Sequence, residues 1–159
     1  MKTNELKTKV LHYWRFTRSY KYVATEAGKF NSDILVSNEK EIIECEIKNS
    51  KSDLVNDLKK KKHGIYKNPS KWYSQWIPNK FYFAIPKNLL ETATELTEGT
   101  PYGVILIEDK ILTLKKKEKY CTVIKQARIL QNNFKIKLQD QIILRMSSEL
   151  IRIRLKYLI

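Results

Sequence analysis

Strand alternation along EIIECEIK places Glu44, Glu46 and Lys48 on one face and Ile43, Cys45 and Ile47 on the other. Asp33 opens the preceding β-prone run, DILVS, which the short polar joint Asn38-Glu39-Lys40 connects to this one. In such a hairpin the start of the first strand lies beside the end of the second. Asp33 is therefore expected near Glu46 and Lys48. Two carboxylates and a backbone carbonyl can hold a hard divalent ion such as Mg²⁺ while leaving positions for water. A bound ion activates that water and neutralises charge developing on a phosphate, and a neighbouring lysine stabilises the anionic transition state. Glu44 lies one strand repeat away from the convergence and reads as part of a solvated charged face.

The elements that must position these residues follow from periodicity. Leu6, Val10, Leu11, Trp14 and Phe16 predict a helix over 4–18 with Asn4 as its cap, turning Lys7, Lys9, Arg15 and Arg18 to solvent. Strands are expected over 20–27, which contains Glu26, and over 33–37 and 41–48. Ser50 with Asp53 resembles a capping box, and Leu54, Val55 and Leu58 give a helical stripe that Gly64 is expected to end. KFYFAIP (80–86) and YGVILI (102–107) read as strands buried on both faces, with a helix over 87–97 between them. Asp109-Lys110 is expected to turn the second of these into a hairpin with ILTL. A long amphipathic helix over 134–158 carries Leu138, Ile142, Met146, Leu150 and Ile153 on one stripe. This order predicts one α/β sandwich over residues 1–159, a central mixed sheet flanked by helices.

Composition narrows the function classes. Lys and Arg total 31 against 17 Asp and Glu, a formal net charge of +14, which points to a polyanionic partner. Cys45 and Cys121 are too few for a disulfide framework or a four-thiolate zinc site and are expected as reduced core residues. His12 and His63 lack partners at metal-ligand spacing, so zinc is not expected. No glycine-rich phosphate loop or serine-nucleophile elbow occurs, which removes the NTPase and acyl-hydrolase readings. The beginning, MKTNELKTKV, is charged throughout, and no apolar stretch approaches the length of a membrane span. The expectation is a cytoplasmic protein whose polyanionic partner is either nucleic acid or an anionic membrane surface. Membrane binding does not account for the Asp33, Glu46 and Lys48 trio, so DNA is the expected partner and a membrane is not.

Asp33, a spacer and then Glu46-Ile47-Lys48 resemble the PD-(D/E)XK nuclease signature, with Ser32 in place of the proline. The stretch from SDILV through IIECEIKNSKSDL to PNKFYFAIP is similar to the branch containing the MmcB-type DNA-repair proteins, over roughly residues 26–86. The resemblance implies a restriction-endonuclease-like sandwich and a metal-dependent DNA endonuclease using Mg²⁺ or Mn²⁺. It implies Asp33 and Glu46 as metal-binding carboxylates, the Ile47 carbonyl as a further ligand and Lys48 as the catalytic lysine. Glu26 is a candidate additional ligand, and Glu5 a weaker one that also suits the first turn of a helix.

Lys59, Lys60, Lys61 and Lys62 follow the motif on a helix and are expected to contact phosphates, as are Lys67 and Lys71. Trp72, Tyr73 and Trp76 interleave with those cations and suit either base stacking or core packing. A catalytically silent DNA-binding module on the same fold is the competing function. Cutting both strands would ordinarily need two active sites, so a homodimer is a possible partner state.

Overall fold

The computed structural model describes residues 2–158. Helix α1 spans Thr3–His12 and runs into a π-helical turn over Tyr13–Thr17. Three strands follow, β1 (Tyr22–Ala27), β2 (Ser32–Ser37) and β3 (Ile42–Ile47). Helices α2 (Lys51–Leu58) and α3 (Lys61–Lys67) lead to β4 (Lys80–Pro86). Helix α4 (Leu90–Thr97), β5 (Gly103–Ile107), β6 (Cys121–Lys125) and α5 (Ile136–Lys156) complete the chain.

The six strands form one mixed sheet in chain order, β1-β2-β3-β4-β5-β6. Pairing is antiparallel for β1–β2 and β2–β3, parallel for β3–β4 and β4–β5, and antiparallel again for β5–β6. Parallel pairs need crossovers, and α2–α3 and α4 supply them. Helix α1 covers one face, where Leu6, Val10 and Trp14 pack with Ile43, Cys45, Ile47 and Tyr82. Helices α2, α3 and α4 cover the other, where Leu54, Tyr66 and Ala93 pack with Phe81, Phe83 and Val104. Helix α5 lies over the β1–β2 end through Leu138 and Ile142. This is the mixed α/β sandwich expected from the sequence.

Several local expectations are corrected. ILTL forms no strand: Ile111 and Leu114 are exposed, and the 108–120 segment is a loop pinned where the Thr113 N–H donates to Tyr120 Oη at 2.8 Å. The strand paired with β5 is β6, whose CTVIK run is only partly buried and reaches its register through a bulge at Val104/Ile105. Gly64 does not end the helix after the motif. The break falls at Lys59 and Lys60, and α3 runs through Gly64. On α1, Lys9 is buried, its Nζ donating to the Glu108 carbonyl at 3.1 Å and pairing with Glu5 at 3.1 Å. On α5 only Leu138 and Ile142 are buried, while Leu150 and Ile153 of the same expected stripe stay exposed. Cys45 and Cys121 are both free and buried, as expected.

Gly103 sits opposite Tyr82 in the β4–β5 ladder. A Cβ there would lie 2.3 Å from the Tyr82 ring and 2.7 Å from the Ala127 nitrogen, so a backbone neighbour as well as a side chain would have to move. Gly103→Ala is expected to destabilise the fold by about 1–3 kcal/mol, the range for overpacking, read as a lowered urea midpoint with unchanged slope.

Candidate functional site

The antiparallel ladder between β2 and β3 runs from Ser37–Ile42 to Ile34–Cys45 and then stops. Beyond it, side chains replace main-chain partners. The Ile47 N–H donates to Asp33 Oδ2 at 3.0 Å, and the Asp33 N–H points at Glu46 Oε1 at 3.4 Å. The strand ends thus hold the two carboxylates side by side. Lys48 Nζ completes the convergence, 3.0 Å from Glu46 Oε2 and 3.8 Å from Asp33 Oδ2. Asp33, Glu46 and Lys48 meet as the hairpin argument predicts, while Ile47 touches Asp33 through its N–H and not its carbonyl.

The surroundings differ from a solvated strand face. All six residues of β3 are buried, and α2 and α3 lie over Glu44 and Glu46. Lys62 turns inward from α3 and is 4% exposed. Its Nζ lies 2.8 Å from Glu44 Oε1 and 2.6 Å from Glu46 Oε1. Lys62 is therefore no phosphate contact; burying an ammonium requires paired carboxylates, and here it has two. Glu44 is sealed rather than solvated, accepting from Lys62 and from the Tyr66 hydroxyl. Lys60 stays exposed but pairs with Asp57 at 2.5 Å, leaving Lys59, Lys61, Lys67 and Lys71 as exposed cations without a carboxylate partner among the described residues.

Residues that sequence reasoning missed close the network. Asp57 is buried on α2, with Oδ1 3.0 Å from Lys48 Nζ and Oδ2 2.9 Å from His63 Nε2. His63 Nδ1 in turn lies 2.8 Å from the Tyr102 hydroxyl, so this histidine is a core partner, not an isolated one. Lys7 approaches from α1, 3.5 Å from Asp33 Oδ1 and 3.3 Å from Glu26 Oε1. Among the described residues Glu26 forms no three-carboxylate metal group with Asp33 and Glu46. It is half-exposed, paired with Lys7 and with Arg145 at 3.3 Å, and adopts φ +49° between the Thr25–Ile34 and Ala27–Ser32 pairs of the β1–β2 register. Glu5 stays with Lys9 and takes no part.

Electrostatics divide the carboxylates. Burial pushes the Asp33 carboxyl above its ordinary range, and the adjacent Glu46 charge adds to this. Burial also opposes ionisation of Glu46, but Lys62 and Lys48 outweigh it and bring its pKa down to about 2. Burial would lower Lys48, yet Glu46 and Asp57 hold it above its ordinary value, so it is a fixed cation.

Among the described residues no group of three or more His, Cys, Asp or Glu side chains is placed to hold a metal ion. Mg²⁺ commonly takes only one or two protein carboxylates and fills its remaining positions with water and phosphate oxygens. The all-oxygen pair Asp33–Glu46 suits that chemistry; burial first and the Glu46 charge second raise the Asp33 carboxyl, and a cation between the two would relieve the second of these. Beside Asp33, a groove of about 420 Å³ runs between α1 and α5, and Lys7, Arg145, Arg152 and Lys156 are among its walls.

Fold and site together define an α/β sandwich with a buried carboxylate–lysine cluster at a strand fork. No family model matches the chain, and no curated protein matches it. The SPO1766 protein of unknown function from Silicibacter pomeroyi has a similar structure, with a TM-score of 0.62 at 15% identity, covering 99% of this chain and 92% of that one. That likeness concerns the fold alone.

Glu44 tests how far the sealed network carries the fold. Glu44→Ala leaves the Lys62 ammonium short of a partner and is expected to cost about 3–5 kcal/mol, as when one member of a buried pair is removed. Glu91→Ala, at an exposed position on α4, is expected to stay within about 0.5 kcal/mol. Chemical denaturation of both variants gives the comparison, and equal midpoints would show that the cluster contributes no net stability.

Proposed function

We propose that this chain is a metal-dependent deoxyribonuclease that hydrolyses phosphodiester bonds, with Asp33, Glu46 and Lys48 as its working residues. The observation that carries this reading is the convergence of two adjacent carboxylates and one fixed ammonium at the open end of the β2–β3 pair. In this reading the enzyme is cytoplasmic and acts on DNA.

Asp33 and Glu46, with the Ile47 carbonyl, would hold Mg²⁺ or Mn²⁺. When bound, the ion polarises a water molecule and neutralises charge growing on the phosphate. Lys48 stays protonated between Glu46 and Asp57, so it acts as a donor that orients water and steadies the phosphorane-like charge, and not as a base. Asp57 positions Lys48, and His63 holds Asp57 from behind. Lys59, Lys61, Lys67 and Lys71 provide exposed positive charge for the backbone, and the groove cations Lys7, Arg145, Arg152 and Lys156 add a second track beside Asp33.

One observation favours the silent DNA-binding module instead. Both Glu46 oxygens already face ammonium groups, Lys62 at 2.6 Å and Lys48 at 3.0 Å. Metal capture requires Glu46 to loosen at least one of those contacts, whereas a binding module does not.

The test is incubation of purified protein with plasmid, branched and single-stranded DNA, with and without Mg²⁺ or Mn²⁺. Metal-dependent cleavage is expected. Asp33→Ala should abolish it while metal-free DNA binding persists, and Lys48→Ala should slow it by roughly a hundred- to a thousandfold. If ~7 phosphates are neutralised, the log–log salt dependence of binding should have a slope of about −6. Binding with that slope but no cleavage by either metal would establish the module reading.

A further inference from the structure

Helix α5 buries only Leu138 and Ile142 against the sheet end. Its opposite side carries large apolar side chains in water: Leu144 is 67% exposed, Ile151 60% and Leu150 58%. At 3.6 residues per turn these lie within about 60° of Ser147, opposite Leu138, with Leu150 at the edge of the face where it also lines an apolar groove with Leu11 and Val23. Soluble helices do not ordinarily leave such a face open unless something covers it.

The face is chemically symmetric about Ser147. Ile143, four residues before it, is matched by Ile151, four residues after, and Leu144 is matched by Leu150. Farther out, Ile136 is matched by Leu158, just past the helix end. The one charged pair in the series is opposite in sign: Asp140 lies seven residues before Ser147 and Arg154 seven after. Both are exposed, and neither makes an ion pair among the described residues. An antiparallel copy laid across Ser147 would set each Asp140 beside the other chain's Arg154 and each isoleucine beside an isoleucine. The small serine at the crossing lets two helices approach to the ordinary 8–10 Å of helix packing.

We infer that a second copy of this chain covers the outer face of α5, giving a two-fold homodimer with antiparallel α5 helices centred on Ser147. A two-fold interface must be self-complementary, and this face is so in both apolar pattern and charge. A lipid surface fits less well. Arg152 and Lys156 turn into the groove against α1. That leaves only Arg154 and Lys137 among the helix's cations on or beside the apolar face, with the acid Asp140 between them, short of the cation-rich border of an interfacial helix. The inference concerns assembly and stands apart from the nuclease reading.

Full-length protein is expected to sediment and scatter light as about twice the 18.9 kDa chain. Asp140→Arg and Arg154→Asp, each alone, bring like charges together and should weaken dimerisation on the order of tenfold or more. The double variant Asp140→Arg/Arg154→Asp should restore it, which no merely structural role of either residue would do. Ser147→Cys should cross-link under mild oxidation, since the two copies meet at the axis and Cys45 and Cys121 are buried. Lys137→Cys, with its copies about 30 Å apart along the pair, should not. A chain that remains monomeric at on the order of 100 μM, whether or not it sediments with phosphatidylserine vesicles, overturns the inference. So does a double swap no better than the single variants, or cross-linking at 137 in place of 147.

Discussion

The cluster built on Glu44, Glu46 and Lys48 sets the constraint to which the rest of the fold answers. A strand buried over its whole length can carry two carboxylates only if cations are delivered to them out of reach of solvent. Lys62 from α3 bridges Glu44 and Glu46, and Lys48 bridges Glu46 and Asp57 on α2. Each ammonium therefore ties a helix to the strand. Apolar packing of Leu54 and Tyr66 on Phe81 and Phe83 would hold these layers together without fixing their register. The charge pairs do fix it, because a shift of one residue would strand a buried charge.

That requirement explains the break in the helical stretch after the motif. An uninterrupted helix would spread four successive lysines around its circumference. Lys60 instead adopts an extended conformation as the cap of α3, and the new helix turns Lys62, His63 and Tyr66 toward the sheet. The basic run is thereby divided. Lys59 and Lys61 remain in water, Lys60 leans onto Asp57, and Lys62 becomes part of the core.

The legible part of the site was the part made by neighbours in sequence. Asp33, Glu46 and Lys48 belong to one hairpin, and strand alternation with a short joint suffices to bring them together. The buried strands were legible for the same reason: KFYFAIP is a dense apolar run closed by a proline. Lys7, Asp57 and Lys62 were not, because each arrives through packing between elements distant in the chain. Asp57 did leave a signal, lying three residues after Leu54 and one before Leu58, on the stripe that faces the core. A carboxylate on an apolar stripe asks for a buried partner. The β6 strand escaped because ILTL is the more apolar run, while CTVIK wins its place through geometry, reaching β5 across a bulge.

The cluster also has a direction. Side-chain exposure rises from 1% at Glu44 to 4% at Glu46, 9% at Lys48 and 26% at Asp33. The inner end is closed by aromatic rings, with His63 wedged edge-on against Phe81 and Tyr66 covering Glu44. The most exposed member is Asp33, where the ladder has opened and Lys7, which also lines the groove between α1 and α5, lies 3.5 Å away. Identical carboxylates two residues apart on one strand are thus given different work. Glu44 is closed in by Lys62 and Tyr66 and holds α3 in place, whereas Glu46 shares Lys62 through one oxygen and turns the other to Lys48. The solvent-facing end of the cluster is thus Glu46 at the end of β3, Lys48 just beyond it and Asp33 across the fork.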